Sequence, residues 1–159
     1  MPSNKVSEQL MSLLVNAAMR ELKVSVQYML QHALYTGKNP SHSRAEGFIG
    51  SHRLVFLPGR TLKKIAITEM RHAEAVVERI SHLGGKPLTQ LPPLVVGNTA
   101  RQILDIDKAE EEEAIRLYNQ IINTARNEED YVTEKLFKRI LSDEEDHLQT
   151  FFEYLKEST

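Results

Sequence analysis

Two segments of the sequence place a glutamate and a histidine three residues apart inside an apolar helical pattern. The first pair is Glu69 and His72, and the second is Glu144 and His147. Residues three apart in an α-helix lie on one side of it, so each pair can bind one metal ion or two neighbouring ions. A buried carboxylate is costly unless a cation compensates its charge. The two pairs therefore predict metal binding by carboxylate and imidazole groups in the protein interior.

Both pairs lie in segments whose apolar residues recur every three or four positions, as on one buried helix face. The first segment is predicted as a helix from about Arg60 to Leu83, with Leu62, Ile65, Val76 and Ile80 on that face. The other helix ends at about Lys156, and its apolar face contains Phe137, Ile140, Leu141, Leu148, Phe151 and Leu155. Both pairs thus point toward the core.

The N-terminal helix also carries one glutamate on its apolar face. We expect this helix to be capped by Ser3 or Asn4 and to run to about Tyr35. The other residues on the same face are Leu10, Leu14, Ala17, Val24, Tyr28 and His32. Glu21 is therefore predicted to be buried among apolar side chains.

A further helix, third along the chain, adds a fourth inward carboxylate. Its predicted cap is Asn98 or Thr99, and it runs to about Arg126. The inward residues are Leu104, Asp107, Glu111, Ala114, Tyr118, Ile121, Ile122 and Ala125. Glu111 belongs to the acidic run 110–113, but it alone lies seven residues before Tyr118 on the apolar face. The rest of that run is predicted to face solvent.

The connections between the helices determine the fold. Glycine and proline residues follow the first helix, and the connection reaches about residue 58, with a short helix predicted at about 44–49. The proline-rich stretch 84–98 favours an extended path of about 46 Å, whereas the second helix is about 36 Å long. This stretch can cross the bundle and leave helices two and three parallel. We predict an all-α four-helix bundle with one long crossover, forming a single domain over residues 1–159.

Composition excludes several classes of protein. The net charge is −2 and no basic face is apparent, which argues against nucleic acid as a partner. No apolar run has the length of a membrane span, and the N-terminus lacks the layout of a signal peptide, so we expect a cytoplasmic protein without a membrane partner. The chain has no cysteine, so any metal must be bound by glutamate, aspartate and histidine.

The charges of the four inward glutamates match those of two divalent ions. Oxygen and imidazole ligands suit iron or manganese, and the absence of thiolate weakens the case for structural zinc. One Glu-x-x-His segment is weak evidence, because chance yields roughly 0.6 of them in a chain of this composition. Two such segments, each in a helical stripe and matched by one inward glutamate on each other helix, are much stronger evidence. The alternative is a set of buried Glu-His hydrogen bonds that hold the helices in register.

This pattern resembles the ferritin-like di-iron carboxylate proteins, and the local strings are similar to those of bacterioferritin along all four helices. The strings are Glu21-Leu22, Gln27-Tyr28, Glu69-Met70-Arg71-His72-Ala73 and Asp143-Glu144-Glu145-Asp146-His147. The resemblance implies two iron ions per chain with two bridging ligands and two terminal pairs: Glu69 and Glu144 as bridges, Glu21 with His72, and Glu111 with His147. The implied activity is ferroxidation, in which Fe(II) is oxidised to Fe(III) by O2 or H2O2 in iron storage or detoxification.

Further expectations follow from the same resemblance. Tyr28 would lie beside the metals as a hydrogen-bonding or electron-donating residue, with an ordinary core tyrosine as the alternative. Met70 occupies the place of the bacterioferritin methionine that binds haem at a two-fold interface, with ordinary interface packing as the favoured alternative. The family positions that line the iron cavity with histidine and aspartate hold Lys64 and Thr68 in this chain. The protein is expected to be a homo-oligomer, at least a dimer.

Two other functions remain open from the sequence. One is a small di-iron or manganese-iron oxidase, or a peroxide scavenger, without storage. The other is a non-catalytic helical interaction module whose Glu-His pairs are structural.

Overall fold

The chain forms four long helices in a computed structural model that describes residues 6–37, 59–86 and 90–156. The helices are α1 (Glu8–Gly37), α2 (Gly59–His82), α3 (Ala100–Asn127) and α4 (Tyr131–Lys156). The described residues contain no strand, so the all-α prediction is confirmed. The short helix predicted at 44–49 lies outside the described residues.

The start of α1 differs from the prediction. The helix begins at Glu8 instead of after Ser3 or Asn4. Ser7 supplies the cap, because its hydroxyl accepts a hydrogen bond from the backbone N–H of Leu10 at 3.0 Å. Both the backbone N–H and the hydroxyl of Ser7 also donate to the carboxylate of Glu128. These contacts explain why Ser7 caps the helix: it links the start of α1 to the far end of α3.

Other helix ends follow their predicted signals. Thr99 caps α3, since its hydroxyl accepts a hydrogen bond from the backbone N–H of Gln102 at 3.2 Å. At the end of α2, Gly84 adopts a left-handed conformation with φ of 76°. Gly85 then donates its N–H to the carbonyl of Ile80 at 2.9 Å, which closes the helix.

Contacts between helix ends show that α2 and α4 are antiparallel. Near the start of α2, the hydroxyl of Thr61 lies 3.4 Å from the hydroxyl of Tyr154 near the end of α4. At the other end, the guanidinium of Arg79 donates to Asp130 at 2.6 Å, directly before α4. Asp130 also accepts the backbone N–H of Thr133, so it caps α4 as well.

The same kind of contact places α1 antiparallel to both α2 and α3. Gly85, after α2, packs against Met11 near the start of α1. Ser7 contacts the far end of α3, whereas Gln31, late in α1, donates to Asp107, early in α3, at 2.9 Å. Helices α2 and α3 are therefore parallel, as predicted, and the connection between them, described at 83–86 and 90–99, joins opposite ends of the bundle.

The buried apolar residues form two separate clusters. One occupies the end of the bundle that holds the start of α1 and the joint between α3 and α4, and it includes Leu14, Ala114 and Ile140. The other occupies the opposite end and includes Val24 and Phe151. Along each helix the inward glutamate lies between residues of the two clusters. The polar residues thus form one layer across the middle of the core.

Among the described residues, none of the helices combines the length and hydrophobicity that crossing a membrane requires.

Candidate metal centre

Each helix contributes one fully buried glutamate to the middle layer. Glu21, Glu69, Glu111 and Glu144 have side chains with no exposed surface. Each occupies an inward position of its helix, so the apolar pattern that buries the neighbouring residues also buries the carboxylate. Four ionisable groups without solvent contact are expensive in an apolar core unless a cation or a proton compensates them.

His72 lies at one side of this layer and contacts three of the carboxylates. Its Nδ1 atom is 3.0 Å from Glu144 Oε1, 3.3 Å from Glu69 Oε2 and 3.7 Å from Glu21 Oε2. The other ring nitrogen, Nε2, is 2.9 Å from a carboxylate oxygen of Asp143. His72 therefore directs Nδ1 toward the buried glutamates and Nε2 toward a half-buried carboxylate.

His147 has an equivalent place on the other side of the layer. Its Nδ1 atom is 2.8 Å from Glu69 Oε1 and 3.2 Å from Glu144 Oε2. The rings of His72 and His147 are 6.4 Å apart between centroids. Both imidazoles thus approach the same two glutamates from opposite sides.

The six predicted site residues form two groups of potential metal ligands. The first group contains Glu21, Glu69, His72 and Glu144, and the second contains Glu69, Glu111, Glu144 and His147. Within each group, one nitrogen or carboxylate oxygen from every residue lies within 4.8 Å of the others. The groups share Glu69 and Glu144, which is the arrangement that two ions joined by bridging carboxylates require. The structure brings all six residues together, and their coordination of metal stays a prediction.

Without metal, protons compensate part of the buried charge. Burial, together with the negative charges of Glu69 and Glu144, raises the pKa of Glu21 well above its ordinary value. Burial and the charge of Glu69 likewise raise the pKa of Glu111. These two carboxyl groups are therefore favoured in the neutral form.

The other two carboxylates stay charged because histidines bind them. Burial alone would raise the pKa of Glu69, but contacts with His147 and His72 outweigh it and hold the pKa well below its usual range. Burial would lower the pKa of His147, yet its contacts with Glu144 and Glu69 raise that pKa to about 10. The imidazolium groups thus occupy the place that a metal cation would take.

Several carboxylate oxygens have unused capacity to bind a cation. Neither oxygen of Glu21 has a hydrogen-bond partner within the described part of the chain. Glu69 Oε1 and Glu144 Oε1 lie near imidazole nitrogens, but not in hydrogen-bonding geometry. Buried polar atoms normally find partners, so these oxygens are available to a cation. Oxygen and imidazole donors without thiolate fit Fe(II) or Mn(II).

Tyr28 lies beside the centre, as predicted. Its fully buried hydroxyl donates to Glu111 Oε1 at 2.5 Å, and its ring packs edge-on against Phe151 with 5.8 Å between centroids.

Glu111 is fully buried, whereas the side chains of Glu112 and Glu113 are 41% and 65% exposed. The prediction that the rest of the acidic run faces solvent is wrong for Glu110, whose side chain is 16% exposed and pairs with Lys23.

Sequence reasoning missed two charged residues at this site. Arg20 is 7% exposed, and its guanidinium lies 3.4 Å from Glu111 Oε2 and 3.6 Å from Glu21 Oε1. A signal for it existed, because Leu13, Arg20 and Gln27 are spaced by seven along the edge of the inward face of α1. Asp143, which contacts His72, had no such signal, since it is partly exposed.

Met70 lies outside the centre and is 54% exposed. That exposure suits both a haem ligand at an interface and an ordinary packing residue between two copies, so both interpretations of Met70 remain predictions.

Comparison with known proteins agrees with this geometry. The ferritin-like domain family matches residues 58–158. The bacterioferritin of Desulfovibrio desulfuricans is 43% identical over 93 residues, which cover 58% of this chain and 51% of that protein. The bacterioferritin of Rhodobacter capsulatus is 36% identical over 84 residues, covering 52% of each chain. These matches span about half the length of the curated relatives.

A solved structure extends the similarity across most of the chain. The X-ray structure of Desulfovibrio desulfuricans bacterioferritin, described with its diiron site in different catalytic states, superposes with a TM-score of 0.78. The identity is 31%, and the match covers 93% of this chain and 78% of that chain. The four-helix bundle and the family predicted from the sequence are therefore confirmed, and this chain belongs to the ferritin family, as a ferritin-like domain similar to bacterioferritins.

Proposed function

We propose that this chain is a bacterioferritin-like ferroxidase that oxidises Fe(II) to Fe(III) with O2 or H2O2 at a dinuclear centre. The observation that carries this proposal is the pair of four-residue donor groups that share Glu69 and Glu144. A set of structural Glu-His pairs does not require shared carboxylates, and it does not explain the unpartnered oxygens of Glu21.

The proposed roles follow from the positions of the side chains. Glu69 and Glu144 would bridge two ions, and the terminal ligands would be Glu21 with His72 on one ion and Glu111 with His147 on the other. Asp143 would accept a hydrogen bond from the Nε2–H group of His72, which leaves Nδ1 to bind metal. When bound, two ferrous ions supply one electron each to the oxidant.

The reaction balances with two protons. Two Fe(II) ions lose two electrons in total, and O2 with two protons becomes H2O2, or H2O2 with two protons becomes two molecules of water. The apolar clusters on both sides of the polar layer exclude bulk water from the reacting atoms.

Assembly and use of the product also belong to this proposal. The relatives named bacterioferritin support a role in iron storage or detoxification as a homo-oligomer. Particle size and iron capacity distinguish a storage shell from a dimer that holds about two irons per chain. Two finer questions remain within this proposal. Metal analysis decides whether manganese occupies one or both positions, and haem absorbance decides whether Met70 binds haem.

Stoichiometric iron oxidation tests the proposed function. We expect the metal-free protein, loaded anaerobically with two Fe(II) per chain, to consume O2 much faster than Fe(II) in buffer. An oxygen electrode and absorbance of the ferric product measure the reaction. Oxidation no faster than in buffer, with no saturation at two Fe(II) per chain, would contradict the proposal.

Tyr28 is proposed to orient Glu111 through its hydrogen bond. Replacing Tyr28 with Phe removes only the hydroxyl, and we expect Fe(II) oxidation to slow by about 10-fold, since loss of a group that orients a ligand costs about 10- to 100-fold. Tyr118 is the matched control, because it is also fully buried and its hydroxyl has no hydrogen-bond partner among the described residues. Stopped-flow rates equal for Y28F and Y118F would exclude this role.

A further inference from the structure

The two terminal glutamates of the centre differ in how strongly the protein holds them. Both oxygens of Glu111 accept hydrogen bonds, Oε1 from Tyr28 at 2.5 Å and Oε2 from Arg20 at 3.4 Å. Neither oxygen of Glu21 has a hydrogen-bond partner in the described residues, although Arg20 Nη1 lies 3.6 Å from its Oε1 without forming a hydrogen bond. A metal ion can therefore bind Glu21 without competing with a hydrogen-bond donor, whereas at Glu111 it competes with Arg20 for Oε2 while Tyr28 holds Oε1.

Arg20 is fixed in place by groups that are not metal ligands. Its Nη2 atom donates to the backbone carbonyl of Glu110, and its guanidinium lies 5.9 Å from the centre of the Tyr118 ring. Its Nε and Nη1 atoms have no hydrogen-bond partner within the described part of the chain. A buried guanidinium with unpaired N–H donors destabilises the core, so helix packing alone does not explain why Arg20 lies beside the carboxylates.

Charge provides that explanation. Arginine remains protonated in proteins, so Arg20 adds a permanent positive charge to the buried centre. Four ionised glutamates balance two divalent ions, and the charges of Arg20 and Asp143 cancel in the total but act on different groups: Asp143 contacts His72, whereas Arg20 bonds to Glu111. An ion bound by His72 therefore has the negative charge of Asp143 nearby, whereas an ion bound by Glu111 meets the positive charge of Arg20.

We propose that Arg20 is an internal cation that competes with metal for Glu111. As a result, the first ion binds the group containing Glu21 and His72, and the second binds the group containing Glu111 and His147 more weakly. This inference rests on the proposed function, because it assumes that the two groups bind metal. Arg20 is a positioning residue here, since it acts through Glu111 and does not touch the metal.

Cobalt(II) is a suitable probe, since it binds oxygen and imidazole ligands and is not oxidised under the conditions of the titration. We expect the metal-free protein to bind two Co(II) ions per chain. The second should bind at least about tenfold more weakly, because the nearby unit charge of Arg20 repels it in the protein interior. Replacing Arg20 with Met keeps much of the side-chain volume and removes the charge. R20M should reduce the ratio of the two dissociation constants by about tenfold or more.

Two control variants separate charge from other effects. Arg20→Lys keeps the positive charge, and Arg116→Gln removes an arginine whose side chain is 66% exposed and pairs with Glu113 on the surface. Both should keep the ratio of dissociation constants within about threefold of the wild-type value. Calorimetry and the visible absorption of bound Co(II) provide the constants. If R20K behaves like R20M, the effect is not one of charge and the inference is wrong.

The order of binding gives an independent test that needs no variant. Crystals of the wild-type protein prepared with one Co(II) per chain should show an anomalous peak beside Glu21 and His72. A first peak beside Glu111 and His147 would overturn the role of Arg20. So would two wild-type sites of equal affinity whose dissociation constants R20M does not change. Either result would leave the proposed function intact. A wild-type protein that binds no Co(II) at this centre would instead contradict the proposed function.

Discussion

Replacing Glu69 with Gln is expected to slow Fe(II) oxidation by about 100-fold or more, because losing a shared ligand should cost more than the roughly 10- to 100-fold of a supporting residue. Glu69 belongs to both donor groups and contacts both histidines, so a single substitution weakens both positions. Gln has almost the same shape but no charge. Stopped-flow absorbance after mixing the Fe(II)-loaded protein with O2 measures the rate.

A matched control shows whether the loss is specific. Glu113→Gln removes a negative charge from a side chain that is 65% exposed and outside both donor groups. Its rate should equal that of the wild-type protein, and both variants should keep their helical circular dichroism. If E69Q oxidises Fe(II) within about threefold of the wild-type rate, Glu69 is not a shared ligand.

Metal binding is expected to raise the melting temperature of the metal-free protein by about 10 °C or more. One site at a free metal concentration of 100 times the dissociation constant stabilises the folded state by about 2.7 kcal/mol, and two independent sites by about twice that. For a domain of this size, each kcal/mol raises Tm by about 2–4 °C. Calorimetric scans with and without Co(II) measure the increase.

Chelation should reverse this stabilisation. Adding a chelator to the Co(II)-loaded protein should return Tm to the metal-free value, and E69Q should show only a small increase with metal. The interaction-module alternative makes the opposite prediction, because structural Glu-His pairs are already complete without metal. A Tm that responds neither to Co(II) nor to chelator would therefore favour structural pairs.

Helical periodicity was sufficient to predict the middle layer of the core. Glu21, Glu69, Glu111 and Glu144 all occupy positions where an apolar residue is expected, and burial follows from the apolar neighbours on the same face. The same reasoning distinguished Glu111 from its acidic neighbours. Because the crossover had enough length to span the bundle, the parallel direction of α2 and α3 also followed from the sequence.

Other features depend on contacts between helices, which periodicity along one helix cannot show. Ser7 caps α1 partly because Glu128 from the end of α3 reaches it, so the sequence indicated Ser3 or Asn4 instead. Arg20 is buried because it donates to Glu111 and to the backbone carbonyl of Glu110 and lies 3.6 Å from Glu21, whereas arginine is normally expected at the surface.

Anomalous scattering from crystals grown with iron or manganese tests the central claim most directly. Data on both sides of the iron and manganese absorption edges identify each metal and its ligands. The proposed function predicts two peaks per chain, both within bonding distance of Glu69 and Glu144, one also bound by His72 and the other by His147. Crystals without a peak in this layer, with the imidazoles still bound to the glutamates, would show that the buried charges serve only the packing of the helices.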